Sequence, residues 1–155
     1  MTGVRISAKV DYGVRAAVAL ANAETDAPVK GERIATSQNI PLKFMENILA
    51  DMRRAGLVMS QRGAEGGYRL AVDAHEISVA DVIRAVEGPL GDVRGMPPER
   101  VDYSAGAEAL KEVWLAARAS LREVMEHVTI GDIADHDLPD IVGHLLEAPG
   151  AWQRR

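Results

Sequence analysis

The stretch from Pro41 to Leu70 constrains the fold of this chain more than any other. Its first half opens with a proline, which suits the first turn of a helix, and Gly56 is a typical residue just past a helix end. Residues 57–62 and 68–70 are typical of short strands, and the glycine-rich residues 63–67 join them. The sequence therefore predicts a helix followed by a β-hairpin. The apolar residues of that helix recur at core spacing, at Met45, Ile48, Leu49 and Met52.

Two further helices are predicted before this stretch. Ser7 can cap a helix over residues 8–23, whose apolar positions follow one face. A second, short helix is predicted over residues 30–37. Three helices followed by a hairpin are typical of a winged helix-turn-helix, which places its third helix in the major groove of DNA. The same order also occurs in domains that do not bind DNA, so a purely structural role stays open.

Helices also dominate the rest of the chain. Ser78 can cap a fourth helix that ends at Gly88–Pro89, and residues 88–106, rich in Gly and Pro, predict an irregular linker loop. A long helix of about 20 residues, roughly 30 Å, follows. Thr129 can cap a short helix over 130–136, and another is predicted over 140–147. We thus expect a mainly α fold with a small β-hairpin wing: a DNA-binding domain (1–87), the linker (88–106), a dimerisation helix with a short capping helix (107–137) and a tail (138–155).

The long helix carries an apolar stripe that is broad for an element so late in the chain. Such a stripe favours packing against a second copy of the helix. A ligand cavity beneath Trp114 and Met125 is the alternative reading of the same residues. The predicted dimerisation residues are Leu110, Val113, Trp114, Ala117, Leu121, Val124, Met125 and Val128.

Composition excludes several classes of protein. The 155 residues include no cysteine, which rules out disulfides, thiol nucleophiles and clusters or zinc sites held by cysteine. No apolar run is long enough to span a membrane, and the first residues lack the apolar segment of a secretion signal, so we expect a cytoplasmic protein. The net charge of −5 is unevenly distributed. Residues 1–72 hold ten Lys or Arg and seven Asp or Glu, or +3, whereas residues 73–155 hold eight and sixteen, or −8.

Polar residues on the outer face of the third predicted helix can read DNA. Asn47 can bond adenine, Glu46 can accept from cytosine, and Lys43 can reach guanine or a phosphate. Arg62, at the base of the hairpin turn, is the type of side chain that enters a narrow minor groove. The glycine-rich turn is not a phosphate-binding loop, because a strand follows it instead of a helix. Neither a metal site, for which Asp132, Asp135, His136 and Asp137 are the candidates, nor a catalytic arrangement is expected.

Several segments of the chain form a recognisable set: Ser7–Arg15 (SAKVDYGVR), Ile40–Val58 (IPLKFMENILADMRRAGLV), Arg62–Leu70 (RGAEGGYRL), Ile77–Leu90 (ISVADVIRAVEGPL), Trp114 and Thr129–Ile133 (TIGDI). Together they resemble the Rrf2 family of bacterial transcription regulators. The match covers roughly residues 4–135, and the glycine-rich wing and the EGPL ending are its most specific parts.

The resemblance implies a homodimer, held by the long helix, that binds a pseudo-palindromic operator. We expect this regulator to act as a repressor. The resemblance also implies DNA contacts by Lys43, Phe44, Glu46 and Asn47, and a minor-groove contact by Arg62. Lys9 and Tyr12 of the first helix would lie near the DNA backbone. Gly63, Gly66 and Gly67 would let the wing approach the duplex. Many relatives carry small hydroxyl residues at the positions of Pro41 and Lys43, so a different DNA preference is expected here.

The main departure from the family lies in the linker. Many relatives hold an iron–sulfur cluster on three cysteines in the stretch that matches residues 90–107, and this chain has none there. We therefore expect no cofactor, and a signal from a small molecule or a partner enzyme. Two other functions remain open: a protein-interaction module in which the winged helix docks a protein, and a small-molecule or metal sensor whose DNA binding is secondary. Steep weakening by salt would favour DNA binding.

Overall fold

The computed structural model describes residues 5–154, and it is mainly helical with one antiparallel hairpin, as predicted. The helices are α1 (Ala8–Ala21), α2 (Gly31–Gln38), α3 (Leu42–Arg54), α4 (Val79–Val86), α5 (Leu110–Met125), α6 (Ile130–Asp135) and α7 (Asp140–Leu146). The strands are β1 (Val58–Gln61) and β2 (Gly67–Leu70). Short 3₁₀ turns, which the sequence did not predict, cover Ala74–Glu76 and Pro98–Arg100. The first four residues of the predicted DNA-binding domain and the last residue of the predicted tail lie outside the described part.

Side-chain caps fix the start of several helices. The Ser7 hydroxyl accepts a hydrogen bond from the Val10 amide at 3.1 Å, which starts α1 as predicted. Ser78 and Thr129 each form a complete capping box, with Asp81 and Asp132 respectively. Pro41 is the N-cap of α3 and not its first residue, and Gly56 follows the end of that helix with φ +78°. Helix α1 ends two residues before its predicted end.

One hydrophobic core joins the first half of the chain to α6. Its fully buried side chains include Ile34 of α2, Ile48 of α3 and Val82 of α4, with Val58 of β1 at one edge. Ile130, the first residue of α6, is also fully buried in this core. We call the linker loop together with α5 the arm (residues 88–125). Helix α6, which follows the arm, therefore packs with the winged-helix elements, directly against α1.

A short backbone bridge brings the two ends of the α4–α5 segment together. Ser78 and Thr129 pair in antiparallel fashion. The Val79 amide donates to the Val128 carbonyl at 2.9 Å, and the Ile130 amide donates to the Ile77 carbonyl at 2.8 Å. Helices α4 and α6 consequently begin side by side.

The long helix α5 has 16 residues and not about 20, and none of them is buried in the protomer. Val128 lies beyond its end and is buried in its own protomer, which differs from its predicted place on the exposed stripe. Val128 continues the apolar spacing of α5 in the sequence, although it packs into the protomer from the turn after the helix. None of the helices among residues 5–154 is long and apolar enough to cross a membrane.

Candidate DNA-binding interface

Helix α3 is held by its inner face and exposed on its outer face. Met45, Leu49 and Met52 are fully buried, and Ile48 is 1% exposed, because the apolar residues recur at the helical period. On the other side Lys43, Glu46 and Asn47 are exposed, and Phe44 is 60% exposed. The structure therefore brings together the four residues predicted on this helix, on a face that a major groove can accommodate.

Arg15 of α1 fixes the turn between α2 and α3. Its Nε donates to the Gln38 side-chain oxygen at 3.3 Å, and its guanidinium also donates to the Gln38 carbonyl at the end of α2. The next residue, Asn39, has the left-handed φ of 54°, and Ile40 is buried beyond it. Arg15 thus ties the end of α2, directly before the turn that leads into α3, to α1. Sequence reasoning missed this role because the two partners are far apart along the chain.

The hairpin is tied to the helices by a third segment. Strands β1 and β2 pair from Val58↔Leu70 to Gln61↔Gly67. Tyr68 of β2 also pairs with Val29, through two backbone hydrogen bonds of 2.7 Å each. The segment between α1 and α2 therefore holds the wing from the side away from β1.

Arg62 and the three glycines form the turn of the wing. Arg62 is exposed directly after β1. Gly66 lies so close to β1 that an added Cβ would approach the Gln61 carbonyl oxygen to 2.1 Å. Gly63 and Gly67 have φ of +103° and +150°, which L side chains rarely adopt. These glycines shape the turn that presents Arg62.

The two predicted residues of α1 already have protein partners. The Lys9 Nζ lies 2.7 Å from a carboxylate oxygen of Asp51 on α3. Tyr12 is half-buried, and the Arg15 guanidinium lies 5.6 Å from the centre of its ring. Both residues therefore border α3 or its supporting turn.

Several cations on α3, in the wing turn and at the start of α2 have no ion-pair partner in the described part of the chain. Among the described residues, the side chains of Lys30, Arg33, Lys43 and Arg62 make no ion pair. Lys30 and Arg33 line a groove between α2 and the wing turn at Ala64–Gly66. Sequence reasoning did not single out Lys30, the N-cap of α2, or Arg33 within that helix. The signal available in the sequence was that the two cations are three residues apart and lie off the apolar face of the helix.

The predicted dimerisation residues on α5 divide into three groups. Val113, Ala117 and Leu121 recur every four residues and are exposed, with Val113 at 55%. Trp114 and Met125 instead contact their own protomer: the Trp114 indole N–H donates to the Tyr103 hydroxyl at 2.9 Å, and Met125 packs against the core. The remaining members on α5, Leu110 and Val124, are half-buried.

Two ion pairs fasten the linker loop to α5. Glu99 pairs with Arg118 at 2.8 Å, and Asp102 pairs with Lys111 at 3.1 Å. A hydrogen bond from its own backbone amide, followed by the bond from Arg118, lowers the pKa of Glu99. The Pro98–Arg100 turn also contacts α5, and Pro98 and Val101 are buried, whereas Leu90 is buried in the winged-helix core.

His75 lies at the junction between the hairpin exit and α6. Its Nε2 lies 2.8 Å from Asp135 of α6, and its Nδ1 lies 3.2 Å from Asp73. The hydrogen bond with Asp135, and then that with Asp73, raises the pKa of His75. The pKa of Asp73 is lowered, mainly by the hydrogen bond from the His75 backbone amide and secondly by the hydrogen bond with the His75 ring. The ring rests on α6, because a Cβ added at Gly131 would lie 2.5 Å from it.

The remaining acidic residues near α6 are engaged elsewhere. Asp132 belongs to the capping box of α6, and His136 follows the helix in a left-handed conformation. Within residues 5–154, no group of three His, Cys, Asp or Glu residues is arranged to hold a metal ion.

A family model matches most of this arrangement. The model for Rrf2, described as iron-dependent transcriptional regulators, matches residues 6–136. The chain belongs to the Rrf2 family. The match includes the winged helix, the linker, α5 and α6, and it ends before α7. The iron in that description does not fit a cysteine-ligated site here, because the full chain contains no cysteine.

Curated relatives share the family over most of their length. The Mycobacterium tuberculosis (strain H37Rv) protein Rv1287, classed by name with helix-turn-helix transcriptional regulators, is 45% identical over 144 residues, covering 93% of this chain and 89% of the relative. The transcriptional regulator CymR of Bacillus subtilis is 32% identical over 133 residues, covering 86% and 91%. The Rrf2 chain is therefore similar to transcription regulators, not to enzymes.

Solved structures agree with the fold. The structure of CymR, the global cysteine regulator of B. subtilis, matches with a TM-score of 0.72 and 32% identity, covering 86% of this chain and 98% of that one. IscR of T. potens matches with a TM-score of 0.69 and 36% identity, covering 86% and 88%. The Rrf2 chain is thus a winged-helix, DNA-binding transcription regulator.

Proposed function

We propose that this Rrf2 protein is a homodimeric repressor that binds a pseudo-palindromic operator and responds to a signal other than a cysteine-bound cluster. The observation that supports this most directly is the geometry of α3. Its inner face is fully buried while Lys43, Glu46 and Asn47 are exposed on the outer face. A helix fixed in this way can present side chains to base edges without reorganising.

We assign the contacts by the chemistry of each side chain. Asn47 is suited to adenine, Glu46 to a cytosine amino group, and Lys43 to guanine or a phosphate. Phe44 is suited to an apolar contact such as a thymine methyl group. Arg62 would enter the minor groove, with Gly63, Gly66 and Gly67 letting the wing approach. Lys9 and Tyr12 would face the DNA backbone.

The dimer part of the proposal rests on the apolar stripe of α5. Val113, Ala117 and Leu121 are exposed in the protomer, and pairing with a second copy would remove them from water. Two copies would double the +3 charge of residues 1–72. Such a dimer would hold its two α3 helices about 34–36 Å apart, or a multiple of this, to match duplex turns. Binding to the chromosome would place the protein in the cytoplasm.

The signal would act through the linker and α5. The loop is held to α5 by the Glu99–Arg118 and Asp102–Lys111 pairs, so a small molecule or partner protein that loosens them could shift the arm. Movement of the arm would change the separation of the two α3 helices and hence the affinity for the operator. This signalling mechanism differs from sensing by an iron–sulfur cluster held on cysteines, because the chain contains no cysteine.

Salt dependence of DNA binding tests the proposal. Purified protein is mixed with genomic fragments, and the affinity for any shifted fragment is measured between about 50 and 200 mM salt. If the protein contacts about six to ten phosphates, raising the salt over this range should lower the affinity by a factor of about 10³–10⁵. Absence of any specific shift would reject the proposal, and binding of a protein partner instead would favour an interaction module.

A pair of arginine variants tests the docking geometry. Arg62→Ala should weaken operator binding by about 1–3 kcal/mol. Arg100→Ala removes the same charge from the linker and should leave binding within about twofold, since it lies outside the assigned contacts. Equal effects of the two changes would contradict the placement of the wing.

A further inference from the structure

Asp51 is an acidic residue at the edge of the candidate DNA-binding surface. It lies in the second half of α3, and its side chain is 15% exposed. One carboxylate oxygen pairs with the Lys9 Nζ of α1 at 2.7 Å, and the other pairs with the Arg54 guanidinium one turn further along α3. A single carboxylate thus joins a cation from each of two helices.

The two cations remain available to a ligand. Lys9 is 43% exposed and Arg54 is 68% exposed, although both are bonded to Asp51. At 3.6 residues per turn, Arg54 lies within about 40° of Lys43 and Asn47 around α3. It therefore continues the outer face of the helix towards its C-terminal end, where Lys9 lies alongside.

The charge of the cluster favours a phosphate partner. Two cations and one carboxylate leave a net charge of +1 beside a surface that faces DNA. Phosphate contacts position a protein on the duplex, and they are made by long side chains that lose rotamer freedom on binding. A carboxylate that already holds these side chains in place reduces that loss.

We propose that Asp51 is a positioning residue for DNA binding, which holds Lys9 and Arg54 together as a phosphate-binding pair at the C-terminal end of α3. This inference rests on the proposed DNA-binding function and adds to it two residues, Asp51 and Arg54, that the sequence did not assign. The acid strengthens binding despite its negative charge. Holding Lys9 and Arg54 in place favours DNA binding by more free energy than the repulsion between Asp51 and the phosphates costs.

Replacement of Asp51 by asparagine separates positioning from simple charge. Asp51→Asn keeps the shape and removes the negative charge, so repulsion alone predicts tighter binding and a steeper salt dependence. Positioning predicts the opposite: a dissociation constant raised about three- to tenfold and a salt slope shallower by about one, the value of one phosphate contact. Asp51→Glu, which retains a carboxylate, should recover binding to within about threefold of the wild type.

The experiment uses the full-length protein and a 30-base-pair duplex that the wild type selects from a random-sequence library. Fluorescence anisotropy gives the dissociation constant across a salt series. Glu24→Gln is the matched control, since this exposed acid of the same domain has no ion-pair partner among the described residues. It should change the constant less than about twofold. Thermal unfolding of each variant confirms that the binding data refer to folded protein. Partial unfolding would lower the apparent affinity at every salt concentration, but it would not change the slope of affinity against salt.

The outcomes separate the two proposals. If the wild type selects no duplex, the proposed DNA-binding function and this inference are both overturned. If the wild type binds while Asp51→Asn binds equally or more tightly, only the inference is overturned. Weaker binding with a shallower slope, restored by Asp51→Glu, supports it. In the Asp51→Asn background, Lys9→Met should cost less affinity than in the wild type, because the fixed pair is already lost.

Discussion

Replacement of Gly67 by alanine should displace the wing from the helices. Gly67 opens β2 with φ +150°, a conformation that is essentially restricted to glycine. An added Cβ would lie 2.5 Å from the carbonyl carbon and oxygen of Val29 and 2.9 Å from the Lys30 amide nitrogen. These are backbone atoms, which cannot rotate away. The two hydrogen bonds between Val29 and Tyr68 must therefore lengthen or break.

The cost follows from two contributions. Forcing a non-glycine residue into this region of φ costs about 1–3 kcal/mol. Each backbone hydrogen bond contributes about 0.5–1.5 kcal/mol net, so losing two costs about 1–3 kcal/mol more. The expected loss in the free energy of unfolding is about 2–6 kcal/mol, a large share of the roughly 5–15 kcal/mol typical of a protein of this kind.

Gly63→Ala is the matched control for this prediction. Gly63 belongs to the same turn and has φ +103°, but nothing lies within 4 Å of its added Cβ. It should show only the conformational cost of about 1–3 kcal/mol. Urea unfolding followed by circular dichroism gives both values, and Gly67→Ala should lose about 1–3 kcal/mol more than Gly63→Ala. Equal losses would refute the contribution assigned to the Val29–Tyr68 pair.

Three further changes test other parts of the structure. His75 has a raised pKa because it bonds Asp135 and then Asp73, so its stabilisation is present below about pH 6.5 and is lost as pH rises through the folded-state pKa. His75→Asn should flatten the dependence of unfolding free energy on pH above about 6.5, and an unchanged profile would contradict this. Ile48→Ala should cost about 2–5 kcal/mol in urea unfolding because the side chain is 1% exposed, and a loss below about 1 kcal/mol would show that the α3 anchor is not tightly packed. Thr129→Ala removes the capping box of α6 and should cost about 0.5–2 kcal/mol in thermal unfolding; no change would mean that the α6 cap contributes nothing.

Local signals in the sequence predicted the elements well. Ser7, Ser78 and Thr129 each cap a helix as expected, because the capping bond involves residues only three positions apart. The four apolar residues of α3 are buried as predicted, since a helix places them on one face. The end of α5 was predicted wrongly, because apolar spacing reports burial and Val128 is buried in the turn beyond the helix.

Contacts between distant residues could not be predicted in the same way. The Arg15–Gln38 bond, the Lys9–Asp51 pair and the Val29–Tyr68 bridge each depend on how separate elements pack. A single sequence shows which residues are polar, but not which distant partner they meet. The residues expected on the DNA surface therefore came from helix periodicity and family resemblance, whereas their supporting contacts required the structure.

The buried position of Ile130 has a consequence for dissecting the protein. The residues that the sequence assigned to a DNA-binding domain end at 87, yet the core of that domain includes Ile130, about forty residues later. A fragment cut at residue 87 would expose the side chains that Ile130 covers and would leave the Ile77 carbonyl without its donor. During synthesis, likewise, Ile130 can join this core only after the whole arm has left the ribosome. The core of the DNA-reading part thus includes side chains from both ends of the arm.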